Sequence, residues 1–180
     1  IFLQGGASIH FLMVAMNLLT ENGECAYVNT GSWSTKAIKE AVGVGNANII
    51  ASSEDENFNY IPKQFDVLNQ LDYLHITSNN TIFGTQYKSF PKSNVPLVCD
   101  MSSDIFSRRI NVSDFGLIYA GAQKNMGPAG TTLAIIKNDI LGKTGRKIPT
   151  ILDYKTHIDK DSMFNTPPVF SIYVSMLTLE

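Results

Sequence analysis

The chain has 180 residues, enough for one domain with a hydrophobic core. Apolar residues make up 44% of it and charged residues 17%, with a formal net charge of -2. Basic residues form no concentrated patch, which argues against a nucleic-acid partner. No apolar run approaches the roughly 20 residues that span a bilayer, so no membrane segment is expected. Cys25 and Cys99 have neither metal-ligand nor disulfide-framework spacing, so we expect no metal and a reducing, cytoplasmic compartment.

Short apolar runs rich in β-branched residues alternate with helical patterns along the chain. In chain order the predicted elements are helix 9–19, strand 26–29, helix 33–42, strand 48–51, helix 63–69, strands 73–77, 97–100, 117–120 and 132–137, and an apolar helical pattern over 170–180. Several strands are continuous apolar runs, which is typical of a sheet covered on both faces. The sequence therefore predicts a three-layer α/β/α domain with a mostly parallel sheet.

Some of these predictions depend on single residues. Ser32 is a suitable N-cap for helix 33–42, and Pro62 suits the start of helix 63–69. Segment 147–168 is less periodic and rich in polar residues and proline. We expect this segment to be a long excursion from the sheet with a functional role.

Lys124 is the residue that most suggests chemistry. It lies in a loop of small residues that follows strand 117–120. Glycine and alanine let a backbone approach a ligand closely, and apolar surroundings would favour the neutral, nucleophilic amine. From these residues alone, a solvated loop lysine is the alternative.

Asp100 ends strand 97–100, and ligands of open α/β sheets bind at the carboxyl ends of strands. A carboxylate there can keep a pyridine nitrogen protonated, and a protonated pyridine is the electron sink of pyridoxal-phosphate chemistry. Asp100 could equally cap the following turn. Asp104 is the rival carboxylate, and its place beyond the strand end favours an ordinary capping role.

Three weaker signals accompany these two residues. The residues Gly5-Gly6-Ala7-Ser8 precede helix 9–19 and could present N–H groups to a phosphate, although a plain turn is at least as common. Trp33, the single tryptophan, could stack on a flat ring or pack in the core. The polar loop around Thr81 could supply a hydroxyl to a ligand or form only a turn. Together with Lys124 and Asp100, these features match the needs of a pyridoxal-phosphate site.

The same motifs carry a resemblance along essentially the whole chain. The sequence resembles the phosphoserine aminotransferases, which are pyridoxal-phosphate enzymes with the aspartate-aminotransferase-like fold, also called fold type I. The matching stretches are 4–8 (QGGAS), 28–34 (VNTGSWS), 79–82 (NNTI), 100–104 (DMSSD), 120–125 (AGAQKN), 127–130 (GPAG), 152–157 (LDYKTH) and 164–168 (FNTPP). The lysine stretch and the Asn-Thr-Pro-Pro stretch are specific to this family in combination.

The resemblance implies a role for each matching residue. Lys124 would form the Schiff base with pyridoxal 5'-phosphate, and Asp100 would pair with the pyridine nitrogen. Trp33 would stack on the ring, and Thr81 would lie near the phenolic oxygen.

The remaining matches concern the cofactor phosphate. Ala7, Ser8 and Gln123 would bind it within the subunit. Asn165 and Thr166 would reach the phosphate of the neighbouring subunit, which implies a homodimer. Some family members have an arginine where Ser8 stands and others have serine, so this position does not weaken the resemblance.

The resemblance also implies a reaction and a domain. The reaction is transamination between glutamate and 3-phosphohydroxypyruvate, giving 2-oxoglutarate and phosphoserine in serine biosynthesis, with Lys124 moving the proton. Residues 1–180 would be a single large cofactor-binding domain, truncated at both ends, without an N-terminal segment and a C-terminal small domain. Basic residues of those parts would grip the substrate, so this chain could bind cofactor without turnover. A targeting signal could also have preceded Ile1.

Three alternatives stay open at this point. A cysteine desulfurase or alanine–glyoxylate aminotransferase would share the lysine and the aspartate, but a desulfurase needs a mobile catalytic cysteine. A non-catalytic phosphate- or nucleotide-binding α/β module would use residues 5–8 and leave Lys124 replaceable. An inactive fragment would expose large sheet edges and apolar surface.

Overall fold

Nine strands and four helices form the computed structural model, which describes residues 1–180. The strands are β1 (Phe2–Gln4), β2 (Glu24–Asn29), β3 (Asn46–Ser52), β4 (Tyr73–Thr77), β5 (Asn79–Asn80), β6 (Thr85–Gln86), β7 (Leu97–Asp100), β8 (Leu117–Gly121) and β9 (Thr131–Ile136). The helices are α1 (Ser8–Leu18), α2 (Ser32–Val42), α3 (Tyr154–Ile158) and α4 (Val169–Leu179). None of the helices is long and apolar enough to cross a membrane.

Seven of the strands form one sheet in the order β1-β9-β8-β7-β4-β2-β3. The neighbours from β8 to β3 are parallel, whereas β9 is antiparallel to both β1 and β8. Strands β5 and β6 form a separate small hairpin. The predicted α/β class with a mostly parallel sheet is confirmed.

Helices α1 and α2 pack on one face of the sheet, where they share a core with alternate residues of the strands. The residues between them on the strands face the opposite side, where connecting segments cover them. Central strands β4, β7 and β8 are buried along their whole length. Burial on both faces explains why these strands appear in the sequence as continuous apolar runs.

Most predicted elements occur within two residues of their expected bounds, and strands 73–77 and 97–100 match. Helix 63–69 is wrong, because the chain there has no regular structure. Phe65 and Val67 both pack against the core, and a spacing of two residues is that of an extended chain. No sequence pattern predicts β1, the β5–β6 hairpin or α3.

The start of α2 also differs from the prediction. Ser32 is the first residue of the helix, and Gly31 takes the N-cap position with φ of +145°. A side chain at Gly31 would place its Cβ 1.9 Å from Asn80 Nδ2, so only glycine fits there. Ser34 Oγ instead accepts the Gly31 N–H at 3.0 Å.

Segment 147–168 packs against α1. Asn17 Nδ2 donates to the Leu152 carbonyl at 2.7 Å, and Asn17 Oδ1 accepts the Tyr154 N–H at 3.0 Å. Tyr154 is fully buried, and its hydroxyl lies 2.8 Å from His10 Nδ1. One buried asparagine and one tyrosine therefore fix this otherwise irregular segment.

Between α1 and the sheet lie six buried aromatic side chains with polar atoms, which we call the aromatic layer. Its members are His10, Tyr27, Tyr73, His75, Tyr119 and Tyr154. The Tyr27 and Tyr73 hydroxyls are 2.9 Å apart, as are His75 Nε2 and the Tyr119 hydroxyl. The rings of Tyr27 and His75 are stacked at 4.8 Å, and those of His10 and Tyr119 at 5.5 Å. Within the layer, Tyr119 of β8 is the register partner of Asp100 in β7.

Candidate active site

A cavity opens at the carboxyl ends of β4, β7 and β8, beside the N-termini of α1 and α2. This is the edge at which open α/β sheets bind ligands. Eight of its ten lining residues are not hydrophobic. The lining residues are Ala7, Ser8, Trp33, Thr77, Asn79, Asp100, Ser102, Ser103, Gln123 and Lys124.

Asp100 lies at the end of β7 and is only 5% exposed. Its Oδ1 accepts the Ser102 N–H at 2.9 Å and the Ser102 hydroxyl at 2.6 Å. Burial raises the pKa of the Asp100 carboxyl, while the two Ser102 bonds and the charge of Lys124 act in the opposite direction. Asp100 is thus a desolvated carboxylate in a place where a cation would stabilise its charge.

Asp104, the rival carboxylate, is used differently. It accepts hydrogen bonds from the Ser78 hydroxyl and from Gln86 Nε2, and it forms an ion pair with Arg108 at 3.4 Å. It does not line the cavity. Its partners tie the β5–β6 hairpin to the turn after β7, so Asp104 is a structural residue.

Lys124 extends from the loop after β8 toward the cavity. Its Nζ donates to Thr81 Oγ1 at 3.2 Å and lies 4.8 Å from the centroid of the Trp33 ring. The predicted apolar enclosure is wrong for this chain, because Lys124 is exposed. Thr81 is held beside the lysine but does not line the cavity.

The N-terminus of α1 forms another wall of the cavity. No carbonyl of the protein accepts the backbone N–H of Ala7 or of Ser8, and α1 has no side-chain cap. A Cβ built on Gly121 would lie 2.7 Å from Gln123 Oε1 and 3.1 Å from the Ala7 nitrogen. Glycine at 121 therefore lets the Gln123 amide and the free N–H groups lie close together, an arrangement suited to an anion.

Trp33 follows the cap of α2 and forms the wall next to Lys124. Its indole Nε1 is buried and has no hydrogen-bond partner. Lys36 Nζ also lies 4.8 Å from the ring centroid. Trp33 thus lines the cavity and also packs against the core shared by α1 and α2.

The remaining predicted residues lie elsewhere. Asn165 Nδ2 donates to Gln4 Oε1 at 2.7 Å, and neither Asn165 nor the exposed Thr166 lines this cavity. Sequence reasoning missed four lining residues with hydroxyl or amide groups. They are Thr77, Asn79, Ser102 and Ser103. Each lies within four residues of a predicted strand end, and all but Thr77 lie in stretches that match the family.

The family model for class-V aminotransferases matches residues 1–180. The chain belongs to the class-V aminotransferase family. A phosphoserine aminotransferase of Flavobacterium psychrophilum is 63% identical over 180 residues, which cover 100% of this chain and 51% of that protein. The chain thus spans about half the length of the curated relatives it matches.

Solved structures of this family have the same fold as the chain. The phosphoserine aminotransferase of Bacillus circulans subsp. alkalophilus is 47% identical with a TM-score of 0.95, covering 99% of this chain and 50% of that one. The pyridoxal-phosphate-bound phosphoserine aminotransferase of Trichomonas vaginalis is 32% identical with a TM-score of 0.90, covering 99% of this chain and 51% of that one. The predicted fold type of the pyridoxal-phosphate aminotransferases is confirmed.

Class-V membership disfavours the alternative of a non-catalytic phosphate-binding module. The cysteine desulfurase alternative loses support from the positions of the two thiols. Cys25 lies within β2 and Cys99 within β7, and both are fully buried. No group of three or more His, Cys, Asp or Glu side chains could hold a metal ion.

Proposed function

We propose that this chain is the cofactor-binding large domain of a phosphoserine aminotransferase. The enzyme would transfer the amino group of glutamate to 3-phosphohydroxypyruvate, forming phosphoserine and 2-oxoglutarate with pyridoxal 5'-phosphate as cofactor. The observation that carries the proposal is the convergence of Asp100, Lys124 and the free N–H groups of α1 on one cavity. The 63% identity to a phosphoserine aminotransferase supports the choice of substrates.

The cavity residues fit this cofactor on the basis of their own unmet interactions. The Asp100 carboxyl is buried, and its Oδ2 has no hydrogen bond within the protein. Buried carboxylates are stabilised by a cationic partner, and a protonated pyridine nitrogen is such a partner. The N–H groups of Ala7 and Ser8 suit the dianionic phosphate at the other end of the molecule.

When bound, pyridoxal phosphate supplies an aldehyde that condenses with amines and a ring that takes up electron density. Asp100 holds a proton on the ring nitrogen, because its carboxylate regains a charge partner there. Trp33 covers the ring and excludes water. Ala7, Ser8 and Gln123 bind the phosphate and so orient the ring toward Lys124.

Lys124 provides the amine and moves the proton at the substrate α-carbon. Its bond to Thr81 Oγ1 orients the Nζ, and the same hydroxyl can donate to the phenolic oxygen of the cofactor. Lys124 is exposed in this chain, so substrate and the rest of the enzyme would complete the enclosure.

The proposal includes a homodimer with cytoplasmic location. Neither Asn165 nor Thr166 lines the cavity of its own chain, and by the family resemblance both would reach the cofactor phosphate of a second subunit. An N-terminal segment and a C-terminal small domain would provide the basic residues that bind the substrate carboxylate and phosphate.

The test is the near-visible absorbance of the protein with added pyridoxal phosphate. We expect a band that Lys124→Ala abolishes and that glutamate shifts to shorter wavelength. Lys36→Ala is the matched control, because this ammonium also lies 4.8 Å from the Trp33 ring centroid, and it should leave the band intact. A band that persists in Lys124→Ala would contradict the proposal and favour simple phosphate binding.

A further inference from the structure

Thr77 is a buried hydroxyl residue at the edge of the cavity that neither the motifs nor the proposed reaction uses. It ends β4 and is the register partner of Asp100 in the neighbouring β7. Parallel neighbours lie about 4.8 Å apart, so its side chain stands beside the Asp100 carboxyl. Thr77 is 3% exposed, and it lines the cavity.

The Thr77 Oγ1 atom has no hydrogen-bond partner in the protein. Ser78, the next residue, has a hydroxyl that bonds within the protein and so serves as a comparison. Ser78 Oγ donates to the Asp100 carbonyl at 2.9 Å and also contacts the Asp104 carboxylate. A buried hydroxyl without a partner costs free energy, whereas valine would fill the same volume without that cost.

Nothing else at this end of the sheet satisfies Thr77. Ser102 engages Asp100 Oδ1 through both its N–H and its hydroxyl. Tyr119, the register partner of Asp100 in β8, directs its own hydroxyl to His75 Nε2 at 2.9 Å. The Thr77 hydroxyl is therefore left without a partner in the protein, and the cavity that Thr77 lines is the place where a ligand could supply one.

We infer that Thr77 is a further cofactor-binding residue, whose hydroxyl forms its hydrogen bond only with a heteroaromatic ligand held by Asp100. The inference rests on the proposed function, because it requires a ring with a polar atom in this cavity. Thr77 would thereby contact the ring beside Asp100, whereas the N–H groups of Ala7 and Ser8 would bind the phosphate.

The test compares three variants in the full polypeptide that carries residues 1–180. Thr77→Val removes the hydroxyl at constant shape, and Thr77→Ser keeps it. Thr30→Val is the matched control, because Thr30 Oγ1 is also buried without a partner but Thr30 does not line the cavity. The dissociation constant of pyridoxal phosphate is measured by absorbance titration, and the melting temperature is measured without cofactor.

One lost hydrogen bond corresponds to roughly a 3- to 10-fold weaker affinity, which we expect for Thr77→Val. Thr77→Ser should stay within about 2-fold of the wild type, Thr30→Val should match it, and the cofactor-free Thr77→Val protein should melt no lower than the wild type. Wild-type affinity in Thr77→Val, or a melting temperature several degrees lower, would overturn the inference while leaving the proposed function standing. A wild-type protein that takes up no cofactor would overturn both.

Discussion

The same face of the sheet carries buried polar side chains at two levels, and the two levels differ in how those side chains are satisfied. In the aromatic layer, Tyr119 and His75 bond each other, and Tyr27 and Tyr73 do the same. Thr77, two residues beyond His75 in β4, has no partner, and its register partner Asp100 uses one carboxylate oxygen. In the aromatic layer, which we call the lower level, the polar atoms of these pairs form hydrogen bonds within the protein. At Thr77 and Asp100, which we call the upper level, polar atoms remain available to a ligand.

The largest effect should come from the upper level. Asp100→Asn keeps the shape of the side chain but removes the charge that would hold a proton on the ring nitrogen. We expect the transaminase activity of the full enzyme to fall by roughly 100- to 10,000-fold, measured as 2-oxoglutarate formation from glutamate.

Asp104→Asn is the comparison for that variant, because this carboxylate is equally buried but lies outside the cavity. It should lower the free energy of unfolding by about 1–3 kcal/mol through its lost hydrogen bonds, with activity per folded molecule retained. Similar activity losses in the two variants would remove the distinction between a ligand-facing and a structural carboxylate.

The lower level should respond in stability rather than in binding. Tyr154→Phe leaves both nitrogens of buried His10 without a partner, since Nε2 already has none. We expect a loss of about 1–3 kcal/mol in the free energy of unfolding, measured by urea denaturation, and an unchanged affinity for pyridoxal phosphate. Tyr87→Phe is the control, because the Tyr87 hydroxyl is buried without a partner and its removal should cost little.

The two levels should also differ in their pH dependence. Burial lowers the pKa of His10 and of His75 from 6.5 to about 3 in each case. Their contribution to stability is therefore present above pH 6.5 and is lost as the pH falls toward 3, because only the unfolded chain takes up protons in that window.

His75→Phe should reduce this pH dependence by up to about 1.4 kcal/mol per pH unit, the contribution of one proton. Urea titrations at a series of pH values between 6.5 and 4 measure it. If the free energy of unfolding changes with pH as steeply in His75→Phe as in the wild type, His75 is accessible to protons in the folded protein.

The smallest effect is expected at Ser102, which supports Asp100 from within the protein. Ser102→Ala removes the 2.6 Å bond to Asp100 Oδ1 but leaves the bond from the backbone N–H. The pKa of Asp100 should rise further, so the affinity for pyridoxal phosphate should fall by a few-fold. The loss of affinity at acid pH should also begin at a higher pH than in the wild type. An affinity that is unchanged at every pH would show that the N–H bond alone suffices.

The sequence predicted the upper level better than the lower one. Asp100, Lys124 and Trp33 could be placed near one another because parallel strands bring their carboxyl ends to the same edge. Thr77 could not be predicted as a site residue, because its role depends on its register with Asp100. A threonine at a strand end is as common in plain turns. The roles of the predicted site residues stay predictions until the variants are made.

The lower level depends on contacts that no local pattern reveals. His10 and Tyr154 are 144 positions apart, and their hydrogen bond requires α3, which the sequence did not indicate. The error at helix 63–69 has a different origin, because Pro62 is typical of a helix start whereas the two-residue spacing of Phe65 and Val67 is that of an extended chain. Local patterns predicted the central strands, because their continuous apolar runs reflect burial on both faces.

The two buried cysteines provide a reporter for the opening of the sheet. Burial raises the pKa of the Cys25 thiol to about 11 and that of Cys99 well above its usual range, so neither is a reactive thiolate in the folded chain. Cys25 and Cys99 lie in β2 and β7, the two strands that flank β4. Their rates of thiol labelling would therefore time separately the release of β2 and of β7 from the central strand.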